Sequence, residues 1–84
     1  QIIVMPIFLD VHKIPSLDKD IQELIDLPKD ELGVTHINIF YNREADLCYC
    51  LLEAPSKEAV EKHHAKINAK CDWINEVTMA KKID

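Results

Sequence analysis

Glycine is almost missing from this 84-residue chain: Gly33 stands alone beside four prolines. One glycine excludes a glycine-rich phosphate loop and leaves little room for long flexible connections. No Gly-x-Ser-x-Gly elbow is present, and Ser16 and Ser56 read as helix caps, so no catalytic triad or other catalytic centre is evident. No apolar run approaches the roughly 20 residues that span a bilayer, which argues against a membrane segment. An excess of basic charge is also lacking. The formal net charge is −5, and Lys57, Lys62, Lys66 and Lys70 are interrupted by Glu58 and Glu61, so the run reads as a solvated helix face and not as a nucleic-acid surface. No Cys-x-x-Cys pair occurs, which removes the zinc-ribbon spacing. Three cysteines cannot all pair within one chain, and Cys48 and Cys50 are too close on a strand to bridge easily. A reducing, cytoplasmic setting is the expectation. Residues 1–4 are too short for a signal peptide, and Met5 offers a native start, which makes 1–4 an expected extension.

What is present reads as a single globular domain over residues 1–84, with 80–84 a charged tail; hydrophobic residues make up 48% and charged residues 30%. A chain of this size is marginal without an oligomer. Residues 2–12 read as a strand with Ile3, Met5, Ile7, Leu9 and Val11 on one face. Ile2, Val4, Pro6, Phe8, Asp10 and His12 alternate on the other, with Pro6 suggesting an edge or a bulge. Ser16 caps a helix whose first turn holds Asp18 and Asp20 and whose stripe is Ile21, Leu24, Ile25 and Leu27, ended by Pro28. A short turn through Lys29–Leu32 closes at Gly33. Val34–Tyr41 and Leu47–Glu53 form a hairpin about the polar reversal 42–46. Pro55-Ser56 opens a second helix with Ala59, Val60, His63 and Ile67 on one face, and Trp73–Met79 is a last strand.

The order βαββαβ predicts an α+β, ferredoxin-like fold with a four-stranded antiparallel sheet. Two helices cover one face of such a sheet, so the other meets solvent or a second subunit. Phe8 and Phe40 are expected on that second face, where a dimer would close sheet on sheet.

Several groups can carry chemistry. His12 follows Asp10 on one face of a strand, so the carboxylate can orient the imidazole or both can bind a metal; the alternative is a surface pair at a strand end. His36 projects from the face assigned away from the helices, as a ligand or as an ordinary barrel-interior or surface histidine. Cys48 and Cys50, at i and i+2, point to one side; as thiolates they suit nickel, zinc or copper, and as thiols they pack as small hydrophobes. His63 and His64 splay about 100° apart on a helix, so one site cannot take both, and His63 is the one aligned with Val60 and Ile67. Cys71 in a connection reads as a reactive thiol or, more simply, as filler, and Glu53 and Glu76 as a general base or ligand or as ordinary solvated strand-end carboxylates.

A further set of residues resembles a known family. Met5-Pro6-Ile7-Phe8-Leu9-Asp10-Val11-His12, Gly33-Val34, Cys50-Leu51-Leu52-Glu53-Ala54-Pro55 leading into Ser56-Lys57-Glu58-Ala59-Val60, His64 and Ile74-Asn75-Glu76-Val77 are similar to the small ferredoxin-like proteins grouped as nickel-binding-protein-like. The likeness covers about residues 5–78. It implies a dimeric α/β barrel and bound nickel in some members, with Cys50 and His64 at family positions. The expectation is therefore a homodimeric protein that binds a divalent transition metal, nickel foremost, through His12, Cys50 and His64, with His36 and Asp10 as further candidates. Neutral imidazole and thiolate are the binding species, so occupancy should fall in acid. The alternative is a small-molecule binder or cofactor-free enzyme that uses the cavity of a dimeric barrel lined by Phe8, Phe40 and Tyr49. A plain interaction module is a third class.

Overall fold

Leu47–Glu53, β3, organises the molecule because its alternate side chains are needed on both sides of a sheet. In a computed structural model, which describes residues 5–14, 21–66 and 69–83, it pairs antiparallel with β1 (Ile7–His12) on one side and β2 (Thr35–Asn42) on the other. β4 (Trp73–Val77) pairs antiparallel with the free side of β1, giving the order β2-β3-β1-β4. Helices α1 (Ile21–Ile25) and α2 (Lys57–Ala65) complete the α+β fold. The bounds of β3 are those expected from the sequence; β2 lies one residue later and β4 stops two residues sooner. The Ser16 cap, Asp18, Asp20, Ile67 and the first three residues of the expected β1 (2–4) fall outside the described residues.

Pro6 lies ahead of β1, where its carbonyl accepts from the Ala54 amide at 3.1 Å. The missing N–H of Pro6 thus costs no ladder bond, and β1 is a central strand, not the edge that proline suggested.

The faces of β1 are the reverse of the expectation. Phe8, Cys48, Cys50, Leu52 and Ile74 form the core with Val34, Ala54, Ala59 and Val60. The even residues of β1 therefore face α2, and Ile7, Leu9 and Val11 face the open side with their register partners Leu51, Tyr49 and Trp73. Both faces of β1 are apolar over much of their length, so period-two counting could not rank them. Phe8 is 3% exposed in the core, whereas Phe40 is 59% exposed on the opposite face, so the two do not share a surface.

A second difference has a local cause. A register shift between His36 and Asn38 makes Leu52 and Leu51, adjacent on β3, face His36 and Asn38. Ile37 is the extra residue of a β-bulge. His36 consequently falls on the helix side with Ile39, not on the open side with Phe40.

Two turns hold the frame. Asp46 takes φ 55° in the Arg43–Asp46 reversal, a left-handed position that aspartate tolerates. Gly33 sits at φ 81°, and a Cβ there would stand 3.3 Å from Pro55 Cδ.

Candidate metal centre

Adjacent strands deliver three of the candidate side chains. Asp10 and Cys50 are register partners on β1 and β3, and His12 lies opposite Cys48, so all of them face α2. The helix delivers the fourth. Ser56 caps it in an extended conformation, its Oγ accepting from the Ala59 amide at 3.2 Å, and this sets the phase that buries Val60 and, one turn later, His64. His64, not His63, is the buried imidazole of this helix.

The four groups converge. Asp10, His12, Cys50 and His64 each offer one ligand atom, and these atoms all lie within 4.8 Å of one another. Cys50 Sγ is 3.4 Å from His12 Nε2; Asp10 Oδ1 is 3.7 Å from His12 Nε2, and Oδ2 is 3.4 Å from His64 Nε2. Metal–ligand bonds of about 2.0–2.3 Å place tetrahedral ligand atoms about 3.3–3.8 Å apart, so these three pairs already fit and the widest would close by up to about 1 Å.

Hydrogen bonds on the outer side of the rings fix their tautomers. His12 Nδ1 lies 2.6 Å from the Lys13 carbonyl and His64 Nδ1 2.9 Å from the Val60 carbonyl. A carbonyl can only accept, so each Nδ1 carries the proton and each Nε2 presents a lone pair inward. Carbonyl-anchored imidazoles of this kind are a usual support for metal ligands. Asp10 completes the pattern: it is fully buried, and neither carboxylate oxygen accepts a hydrogen bond among the described residues. Lone pairs of two nitrogens and two carboxylate oxygens thus face one another with the Cys50 S–H, 3.4 Å from His12 Nε2, as the one donor between these four side chains. A buried arrangement with more acceptors than donors is costly unless a further proton or a cation joins it.

Without a cation, protons supply that need. Burial pushes the Asp10 carboxyl up to about 7, with the Cys50 thiol a smaller opposing influence. Burial drives His64 down to about 4, against the Val60 carbonyl, which favours the charged ring. Contact with the Cys48 thiol, then burial, then Asp10 hold Cys50 as a thiol, well above the usual range.

His36, the fifth candidate, is not within this group. It lines a cavity of about 170 Å³ together with His12, Cys50, His63 and His64 and with the apolar Ile21, Leu24, Leu27, Pro28, Val34 and Ile39. Burial, then His63 and His12, hold the His36 ring near a pKa of about 4. His63 does reach the cavity, although consecutive helical residues were expected to serve different sites: its ring centroid is 5.4 Å from that of His64. Cys48 Sγ is 3.8 Å from Cys50 Sγ and lines the same cavity. All three cysteines are free, and Cys71 packs against the core, where burial raises its thiol to about 12.

Asp30 escaped the sequence reading. Its Oδ1 accepts from the Leu32 and Val34 amides at 2.9 and 3.0 Å, and its Oδ2 meets His63 Nδ1 at 2.7 Å and Lys66 Nζ at 3.1 Å. Burial works to raise this carboxyl, but His63, the two amides and Lys66 outweigh it and hold it below the usual range. The only sequence signal was its place between Pro28 and Gly33 in a turn.

A family model described as "Nickel responsive protein SCO4226-like" matches residues 8–77. No curated protein and no solved structure matches the chain.

Proposed function

The chain belongs to the SCO4226-like family of nickel-responsive proteins, and on that premise we propose that it binds a divalent transition metal, nickel foremost, through Asp10, His12, Cys50 and His64. The observation that carries this reading is the buried Asp10 carboxylate, which lacks a donor and faces two inward lone pairs and a thiol. Imidazole, carboxylate and a single thiolate make a mixed donor set suited to nickel or zinc.

The proposed protein is a ferredoxin-like homodimer, a dimeric α/β barrel in which a second copy covers the open sheet face. That face carries Leu9, Val11 and Leu51 at its centre and the exposed rings of Phe40, Tyr49 and Trp73 around them. A cytoplasmic, reducing compartment suits a centre that needs a free thiol. Among the described residues no helix is long and apolar enough to cross a membrane.

Calorimetric titration of the untagged protein with nickel and then zinc tests the centre. His12→Ala and Cys50→Ala should each weaken binding by roughly a hundredfold or more, since each removes a donor and leaves the rest unmatched. Unchanged affinity in both variants would sink the proposal. A second reading, a small-molecule binder, is favoured by the apolar wall of the cavity; it gains if neither metal binds and an apolar dye does.

A further inference from the structure

All four histidines of the chain lie in one line of neighbouring rings: His12 to His64 at 4.9 Å between centroids, His64 to His63 at 5.4 Å, and His63 to His36 at 5.4 Å. The inner two belong to the proposed centre. The outer two come from β2 and α2 and line the same cavity. Neither ring nitrogen of His36 makes a hydrogen bond among the described residues. His63 is differently prepared. Its Nδ1 faces an ionised carboxylate, Asp30, at 2.7 Å, so the proton sits on Nδ1 and Nε2 is left with a lone pair. A carboxylate behind an imidazole is the arrangement that orients a metal-binding histidine.

Exposure falls along the line. The His63 side chain is 16% exposed, those of His64 and His12 are 3%, and that of Asp10 is 0%. A hydrated cation crossing to Asp10 would otherwise lose its water against the apolar wall of Ile21, Leu24 and Val34. The charge at the mouth does not repel it: Lys66 is held by Asp30 at 3.1 Å and Glu31 at 2.7 Å, two carboxylates against one ammonium.

We propose that His36 and His63 form an outer cation station through which a divalent transition metal passes into the Asp10–His12–Cys50–His64 centre. The inference rests on that centre being a metal site. Transfer is ligand exchange, imidazole replacing water and then imidazole replacing imidazole. No electron moves, and the protons of the Cys50 thiol and the Asp10 carboxyl leave to solvent as the ion arrives.

Rapid mixing of the full-length chain with nickel chloride, followed by the thiolate-to-nickel absorption of Cys50, tests it. The double variant His36→Ala with His63→Ala should take up nickel roughly tenfold more slowly and release it to a chelator more slowly by the same factor, leaving equilibrium affinity within about threefold. A doubly substituted His36→Gln, His63→Gln chain keeps volume and polarity and carries the test if the alanine pair does not fold. Association at the unsubstituted rate in the glutamine pair overturns the station. So does weaker affinity that arises only from faster release, the mark of a structural prop. No nickel uptake by the unsubstituted chain overturns the centre and the station together, whereas normal uptake with untouched rates overturns the station alone.

Discussion

Asp10 is the residue at which stability and the proposed activity oppose each other. Its carboxyl is held near 7, against about 3.8 in an unfolded chain. The folded state therefore binds the Asp10 proton more tightly, and the stability this confers is complete below pH 4 and is lost as pH rises through 7. His64 has the opposite sign: near 4 when folded against 6.5 when unfolded, it contributes stability above pH 6.5 that is lost as pH falls toward 4. The two windows overlap and offset each other between pH 4 and 6.5. Above that range only the Asp10 loss remains. Asp10→Asn removes it and supplies an amide donor to the inward imidazole nitrogens. The metal-free variant should therefore be more stable than the parent at pH 8 by roughly 2–4 kcal/mol, and no more stable at pH 4. Urea unfolding in chelator at both pH values would show it, and a variant less stable at pH 8 would contradict the assignment. Nickel affinity should fall in the same variant.

At the scale of elements, the turn around Asp30 and the cap at Ser56 hold the helix side of the sheet in place. Asp30→Ala strips acceptors from the Leu32 and Val34 amides and removes the partner of His63. It should cost about 1–3 kcal/mol by thermal unfolding. Ser56→Ala should cost about 1 kcal/mol through the lost bond to the Ala59 amide. If Ser56→Ala proved as costly as Asp30→Ala, this account of the two supports would fail.

These elements also mark what could be read in advance. The order βαββαβ, the bounds of β3 and the Ser56 cap followed from alternation and turn chemistry, which are local. His12, Cys50 and His64 came forward partly through family likeness. The inward face of β1 did not, because Phe8 and Leu9 are equally apolar and only the packing of α2 chooses between them. His36 was misplaced by one bulged residue, Ile37, which nothing in its neighbourhood announces. The Asp30–His63 pair joins residues 33 apart, beyond the reach of any local pattern.

For the whole molecule, the open sheet face is the feature that remains to be used. Apolar side chains cluster there because alternate residues of β1 and β3 serve it while their neighbours serve the core. Val11 and Leu51 are already buried in the single chain, but Phe40, Tyr49 and Trp73 stand exposed, and three exposed rings on one face of so small a chain favour association. The untagged protein should sediment at about twice the 9.7 kDa of one chain, and Trp73→Glu together with Phe40→Glu should return it to the monomer, since a buried unpaired charge costs several kcal/mol. A parent that sediments as a monomer at high concentration would remove the dimer from the proposal.

The inward-facing lone pairs have one more consequence, which concerns charge outside the protein. With both Nδ1 protons committed to carbonyls, the imidazoles have none to give, so the protons an arriving ion displaces are those of Asp10 and Cys50. A doubly charged ion thus replaces up to two protons, and loading is nearly electroneutral. Native electrophoresis should hardly separate the empty and loaded forms. Calorimetry in buffers of different ionisation enthalpy should register between one and two protons released near pH 7, where Asp10 is about half ionised. Any partner molecule would meet nearly the same surface field whether the proposed site were empty or loaded.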